Sequence, residues 1–233
     1  AIVAYRTAYM KRHYPQQYMA ALLTSVLESS TKVAEYIAEC RELGIKLLPP
    51  DVNESDANFT VAGENIRFGL VAIKGIGWGA IEELVAERHE NGLFTSFEDF
   101  CKRMSGKELN RRAVENLIRA GAFDGMGYKR KALLQIAGAV IDSISQAARD
   151  NIAGQYDLFG DFEAQSEASP QTIPIPDVEE FSARDKMMME KEVTGLYLTG
   201  HPMDEYRDAV RKVGAVQIDD EVVQAAFDRY MAM

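Results

Sequence analysis

The 233-residue chain predicts a mainly α-helical protein carrying one small β-hairpin. Three observations lead there. Apolar residues recur at three- and four-residue spacing through most of the chain, which is the repeat of one helix face. Capping residues open many of those stretches and glycines follow their ends. A single stretch breaks the pattern: Phe59-Thr60-Val61 and Ile66-Arg67-Phe68 flank Gly63-Glu64-Asn65, two short runs around a turn.

Taken in order, residues 1–43 hold three apolar stripes at helical spacing. Tyr5, Ala8 and Tyr9 make the first. Tyr18, Met19, Leu22, Leu23 and Val26 make the second, behind Pro15 at a helix start. Val33, Tyr36, Ile37 and Cys40 make the third, and Gly44 is a stop. Pro49-Pro50 and an Asn/Asp-rich run punctuate the chain before the hairpin, so two helical modules are expected, joined near residues 53–68. Short helices are expected over residues 69–121, one of them across 80–88. Thr95 and Glu98 have capping-box spacing ahead of Phe100 and Met104. Asn110 caps a helix bearing Val114, Leu117 and Ile118, and Gly121 ends it. Residues 128–153 read as one long helix with Leu133, Leu134, Ile136, Val140, Ile141 and Ile144 on its apolar side. An acidic, Pro-spotted tether comes next. Ser182 and Asp185 then open a helix running to about Val193, Gly200-His201-Pro202 breaks the chain, and two short helices over 203–213 and 219–231 close it.

The composition, 47% hydrophobic and 27% charged, is that of a soluble globular protein. No apolar run approaches the roughly 18 residues of a membrane span, and no signal peptide is recognisable. The chain opens Ala1-Ile2-Val3-Ala4 without a Met, and we read it as a piece of a longer protein. Cys40 and Cys101 are isolated thiols, consistent with buried cysteines in a reducing cytosol, so the expected location is cytoplasmic. The net charge of −10 is unevenly spread. Residues 101–131 contain Lys102, Arg103, Lys107, Arg111, Arg112, Arg119, Lys129, Arg130 and Lys131 against Glu108, Glu115 and Asp124, which is 9 − 3 = +6. Such a block is either an electrostatic footprint for phosphate or a solvated helix face.

Two motifs carry chemistry. Lys74-Gly75-Ile76-Gly77-Trp78-Gly79 lies between Val71-Ala72-Ile73 and a helix, the layout of a helix-hairpin-helix. Glycines there permit the tight turn and let backbone N–H groups approach a phosphate, with the helix's positive N-terminus aimed at it. Ile76 is expected to plug the turn into the core and Lys74 to supply counter-charge. Residues 109–121, with Arg111 and Arg112, read as a degenerate second copy. The candidate DNA-binding residues are therefore Lys74, Gly75, Ile76, Gly77, Arg111 and Arg112; the competing reading is a glycine turn in an ordinary helical hairpin. The second motif is Gln155-Tyr156-Asp157-Leu158-Phe159. An apolar pair beside a polar tether gains roughly 1.5–3 kcal/mol per side chain when buried. Either a partner's pocket takes Leu158 and Phe159, with Gln155 and Asp157 fixing register, or both fold back as a staple on the preceding helix. His13, His89 and His201 are far apart and suggest no zinc site. Acidic neighbours such as Glu82-Glu83 diverge around a helix and share no metal.

In this order the motifs resemble the alpha subunits of bacterial DNA polymerase III, the C-family replicative polymerases. The likeness runs from Ala4-Tyr5-Arg6-Thr7-Ala8-Tyr9 through Leu47-Leu48-Pro49-Pro50-Asp51-Val52-Asn53, the Lys74 hairpin and Leu109-Asn110-Arg111-Arg112 to Gly195-Leu196-Tyr197-Leu198-Thr199-Gly200-His201-Pro202. The resemblance implies that residues 1–68 are the end of a fingers domain with the hairpin. It makes 69–160 a clamp-binding domain with tandem helix-hairpin-helix motifs that grips duplex DNA. Residues 161–181 become a flexible acidic linker, and 182–233 a helical connector to an OB domain that is absent here. It also implies that Gln155, Asp157, Leu158 and Phe159 bind the sliding clamp (the beta subunit), and that other replicase subunits are met through absent parts of the chain. The parent would be a DNA-directed DNA polymerase whose carboxylates hold magnesium upstream of this piece. This piece is expected to need no cofactor and to be inactive alone. The alternative is a non-catalytic DNA-repair adaptor with the same two devices, and a blander one is a helical scaffold without DNA contact.

Overall fold

The computed structural model describes residues 2–27, 29–156, 173–200, 202 and 206. These form eight α-helices and a three-stranded sheet, the mainly helical class read from the sequence. One compact unit extends to Thr199 and a second begins at Gly200. The two short helices expected to close the chain fall outside the described residues, Tyr206 apart.

Helices α1 (Ile2–His13), α2 (Pro15–Ser25) and α3 (Ser30–Glu42) follow the three stripes. Pro15 stands at the first turn of α2, where its missing N–H costs nothing, and Ser29 caps α3 by accepting from the Lys32 N–H. Helix α2 buries Met19, Ala20 and Leu23, and α3 buries Val33, Ile37 and Cys40. Helix α1 buries nothing: its Tyr5 and Tyr9 stripe is present but uncovered, with the Tyr9 and His13 rings tilted at 33° and 4.3 Å apart.

Strands β2 (Thr60–Ala62) and β3 (Asn65–Arg67) make the expected hairpin around Gly63 and Glu64, pairing Thr60 with Arg67, Val61 with Ile66 and Ala62 with Asn65. A third strand was not foreseen. Strand β1 (Leu47–Leu48) runs parallel to β3, so Ile66 becomes the centre of the sheet and is fully buried. Side-chain bonds pin the segment between β1 and β2 to residues 88–94. Asn53 Nδ2 donates to the Phe94 carbonyl at 2.9 Å while the Phe94 N–H returns a bond of 2.8 Å to Asn53 Oδ1. Buried Arg88 donates to the Val52 and Ser55 carbonyls and to Asp56. The prolines and Asn53 of the resemblance thus lie in a strut between the sheet and the helices beyond it.

A 3₁₀ turn (Leu70–Ala72) leads to α4 (Trp78–Asn91), α5 (Phe97–Arg103) and α6 (Arg111–Ala120). The cap of α5 is one residue later than expected. Ser96 accepts from the Asp99 N–H, while the Asp99 carboxylate reaches back to the Thr95 N–H and hydroxyl; Glu98 is left to pair with Lys102. Asn110 accepts from the Ala113 N–H, and Gly121 ends α6, as expected. Phe94, Phe97, Phe100 and Phe123 meet edge to face at 5.0–5.2 Å between centroids, a favoured arrangement for aromatic pairs. Both thiols are buried, and desolvation pushes Cys40 up to about 11 and Cys101 up to about 12. Neither is a nucleophile at neutral pH.

Helix α7 (Arg130–Tyr156) starts two residues later and ends three later than the periodicity indicated. Its start is fixed from elsewhere in the chain: Glu180 accepts from the Arg130 and Lys131 N–H groups, an acid on a helix N-terminus. Residues 173–181, expected within the free tether, are therefore non-helical chain tied to the start of α7, with Asp177 also paired to Lys129. Helix α8 (Ala183–Thr194) is capped by Ser182 accepting from Asp185, as its sequence indicated. Between α6, α7 and α8 lies a buried ionic knot. Arg130 donates to Asp124 at 2.7 Å and to Glu190 at 3.0 Å, and Glu190 also accepts from the Leu198 and Thr199 N–H groups and the Thr199 hydroxyl. One hydrophobic core runs without a break from Met19 of α2 to Val193 of α8.

Candidate nucleic-acid interface

The hairpin runs from the 3₁₀ turn through buried Ile73 to Gly77, the N-cap of α4. Gly75 has φ +78°, a left-handed angle that L side chains rarely adopt. Ile76 packs, partly buried, against the core. Two neighbours fix the turn. Asn116 of α6 donates to the Lys74 carbonyl at 2.7 Å, and the Lys74 N–H donates to the Val193 carbonyl of α8 at 2.8 Å. The N–H groups of Gly75, Ile76 and Gly77 take no partner among the described residues. Gly75 and Gly77 are exposed, and a helix begins immediately behind them.

Lys74, Arg111, Arg112 and Arg119 line one open cavity of about 490 Å³ together with Glu115, Asn116 and Glu192. Arg112 has no ion pair or hydrogen bond among the described residues. Arg111 pairs with Glu115 at 3.0 Å, and Arg119 with Glu192 at 3.3 Å. The Arg119 Nε is buried and unpartnered. The Lys74 ammonium donates to the Glu192 carbonyl oxygen, not to a carboxylate. Four cations against two acids leave the cavity at +2. Sequence reading named Lys74, Arg111 and Arg112, and the structure brings those three together. It missed Arg119 and Asn116, although Arg112, Asn116 and Arg119 are spaced four and three apart and so share a helix face. Glu192 carries no such signal, because it comes from α8.

The basic block is far less basic than its count. Seven of its nine cations have carboxylate partners: Lys102, Arg103, Lys107, Arg111, Arg119, Lys129 and Arg130. Several partners, namely Glu87, Asp177, Glu190 and Glu192, lie outside residues 101–131. Lys107 and then Arg103 hold the Glu87 carboxyl down to about 2, and Arg103 also bonds the Glu87 and Gly92 carbonyls at the end of α4. Arg103 and Lys107 are structural cations. Arg112, without a carboxylate partner among the described residues, lines the hairpin cavity.

Gln155 lies in the last turn of α7, while Asp157, Leu158 and Phe159 lie outside the described residues. No three His, Cys, Asp or Glu side chains among the described residues come together to hold a metal ion. No described helix is long and apolar enough to cross a membrane.

Residues 44–133, from the end of α3 to the start of α7, match the family model of the helix-hairpin-helix motif. The relatives extend the match over nearly the whole chain. The DNA polymerase III subunit alpha of Mycobacterium tuberculosis (strain ATCC 25618 / H37Rv) is 40% identical over 223 residues, 95% of this chain and 18% of the relative. This chain is homologous to a segment of the DNA polymerase III alpha subunit. The subunits of Deinococcus radiodurans and Neisseria meningitidis serogroup B are each 38% identical over 94% of this chain, covering 16% and 19% of those proteins. The chain thus spans less than a fifth of the length of the curated relatives it matches.

Proposed function

We propose that this chain is the DNA-gripping and clamp-tethering segment of a replicative DNA-directed DNA polymerase. The observation that carries the proposal is the joint presentation of three unpartnered hairpin amides, Gly75 to Gly77, beside a cavity lined by Lys74, Arg111, Arg112 and Arg119. Such a surface holds phosphates and reads no bases; it positions a duplex. The relatives named DNA polymerase III subunit alpha support the replicative setting.

The test is fluorescence anisotropy of a labelled duplex across a salt series. Log affinity should fall against log salt with about −0.9 per phosphate neutralised. Combining Lys74→Glu with Arg111→Glu should weaken binding and flatten the slope. Binding indifferent to salt and to the double substitution rejects the assignment.

The clamp contact rests on the sequence Gln155-Tyr156-Asp157-Leu158-Phe159. Leu158 and Phe159 are the anchors, and replacing both by Ala should remove several kcal/mol at roughly 1.5–3 each, whereas Tyr156→Ala should cost little. Calorimetric titration with a sliding clamp decides it; equal affinity for the doubly substituted chain removes the assignment. Joined on one chain, a weak peptide contact and a weak backbone grip give an avidity neither has alone. Catalysis belongs to the absent parts, and the segment by itself should not extend a primer.

A further inference from the structure

The chain has one tryptophan, and it is not in the core. Trp78 opens α4 directly after the hairpin amides and is 48% exposed. Its ring lines a cavity of about 640 Å³, separate from the arginine-lined one, whose other walls include Ser25 at the end of α2, Ser29 and Lys32 at the start of α3, Asn58 and Val71. That volume is within the range of small-molecule sites.

The groups around it are poised for a ligand. The Trp78 indole N–H, the Asn58 amide and the Lys32 ammonium have no hydrogen-bond or ion-pair partner among the described residues. The Ser25 hydroxyl donates to the Leu22 carbonyl, which leaves its oxygen free to accept. An exposed aromatic face, an amide, a hydroxyl and an unpaired cation are the parts that take a nucleotide: the ring stacks a base, the polar groups meet its edge or sugar, and the cation meets its phosphate. Bases inside a duplex have both faces covered and their pairing edges occupied; an unpaired base leaves its face free for Trp78 and its edge free for the polar groups beside it.

We infer that this cavity holds an unpaired nucleotide of a single-stranded segment adjoining the duplex, its base on Trp78 and its phosphate on Lys32. The inference rests on the DNA-binding reading above, because Trp78 follows the hairpin amides directly in the chain. It adds a site that distinguishes duplex with an adjoining single strand from blunt duplex.

A single tryptophan lets fluorescence report on this cavity alone. The chain is titrated with blunt duplex, with duplex bearing a short single-stranded overhang, and with the single strand, following tryptophan emission and anisotropy of the labelled DNA together. The overhang should quench Trp78 and bind several-fold tighter than blunt duplex. Trp78→Ala should abolish that preference and Trp78→Phe should restore it, while Lys32→Glu should flatten the salt slope by about 0.7, the single-strand value per phosphate. Circular dichroism confirms folding of each variant. Equal affinity and equal quenching for blunt and overhanging duplex, or a preference that survives Trp78→Ala, overturns the inference and leaves the hairpin grip standing. Single-strand quenching without duplex binding does the reverse, and no binding of any of the three rejects both.

Discussion

Gly138 lies in the middle of α7 with the Arg111 guanidinium laid flat against it. A Cβ at that position would stand 2.5 Å from Arg111 Cζ and 2.6 Å from both terminal nitrogens. Those distances are about 1 Å short of ordinary contact between carbon atoms, so Gly138→Ala requires Arg111 to move. It is free to do so, since its side chain is 58% exposed and its one ion pair among the described residues is with Glu115. The helix itself prefers the alanine by about 0.8–1 kcal/mol. Loss of an exposed helical ion pair costs about 0.3–0.5 kcal/mol. The net gain is about 0.5 kcal/mol, a rise in Tm of about 1–2 °C for a chain of this size. Displacement of the guanidinium from the hairpin cavity should flatten the DNA salt slope by about 0.9. Calorimetric melting and the anisotropy salt series measure the two effects on one sample. A Tm lowered by several degrees shows that the guanidinium cannot leave. An unchanged slope with a raised Tm shows that Arg111 does not meet phosphate.

Three further outcomes rest on charge. Glu190→Ala leaves Arg130 paired only with Asp124 and strips the Leu198 and Thr199 amides of their acceptor; breaking a buried pair costs about 3–5 kcal/mol, and a urea midpoint within error of wild type contradicts this. Glu87 has a folded pKa of about 2 against an ordinary 4.5, so its contribution is complete above about 4.5 and is lost as pH falls toward 2. Glu87→Gln should accordingly lower stability at neutral pH and flatten its acid dependence, and parallel pH curves for the two proteins refute the assignment. Glu192→Gln frees Arg119 from an exposed pair worth about 0.2–1 kcal/mol and should raise duplex affinity up to about fivefold; weaker binding means that Glu192 holds Arg119 in its DNA-competent position.

Much of the fold was legible because its signals are local. Asn110, Ser182 with Asp185, and Gly121 each act within four residues, and each works as its sequence indicated. The Thr95 cap missed by one residue because Ser96 with Asp99 offers the same spacing and a shorter acid. Strand β1 was not legible: two residues have no period, and their partner, β3, is 19 positions away. The start of α7 depends on Glu180, 50 residues downstream, which no window of sequence can assign. The candidate site divides in the same way. The glycine turn and Arg111-Arg112 announce themselves, whereas Glu192 enters from α8 and changes the charge of the cavity by folding alone. Counting charges along the chain overstated the basic block for that reason.

The bond from the Lys74 amide to the Val193 carbonyl makes the hairpin depend on a helix far along the chain. Local opening of α8 releases that amide and removes Glu192 from the cavity at once, so the glycine turn and the ionic knot at Glu190 belong to one cooperative unit. The Lys74 amide should therefore exchange its hydrogen at the rate at which α8 undocks rather than at the rate of a surface turn. A duplex that prefers the docked hairpin shifts that opening equilibrium toward docking by its differential affinity. On the proposed function, duplex occupancy of the hairpin is then written into the stability of α8 and of Leu198 and Thr199, which bond Glu190 and immediately precede the second unit.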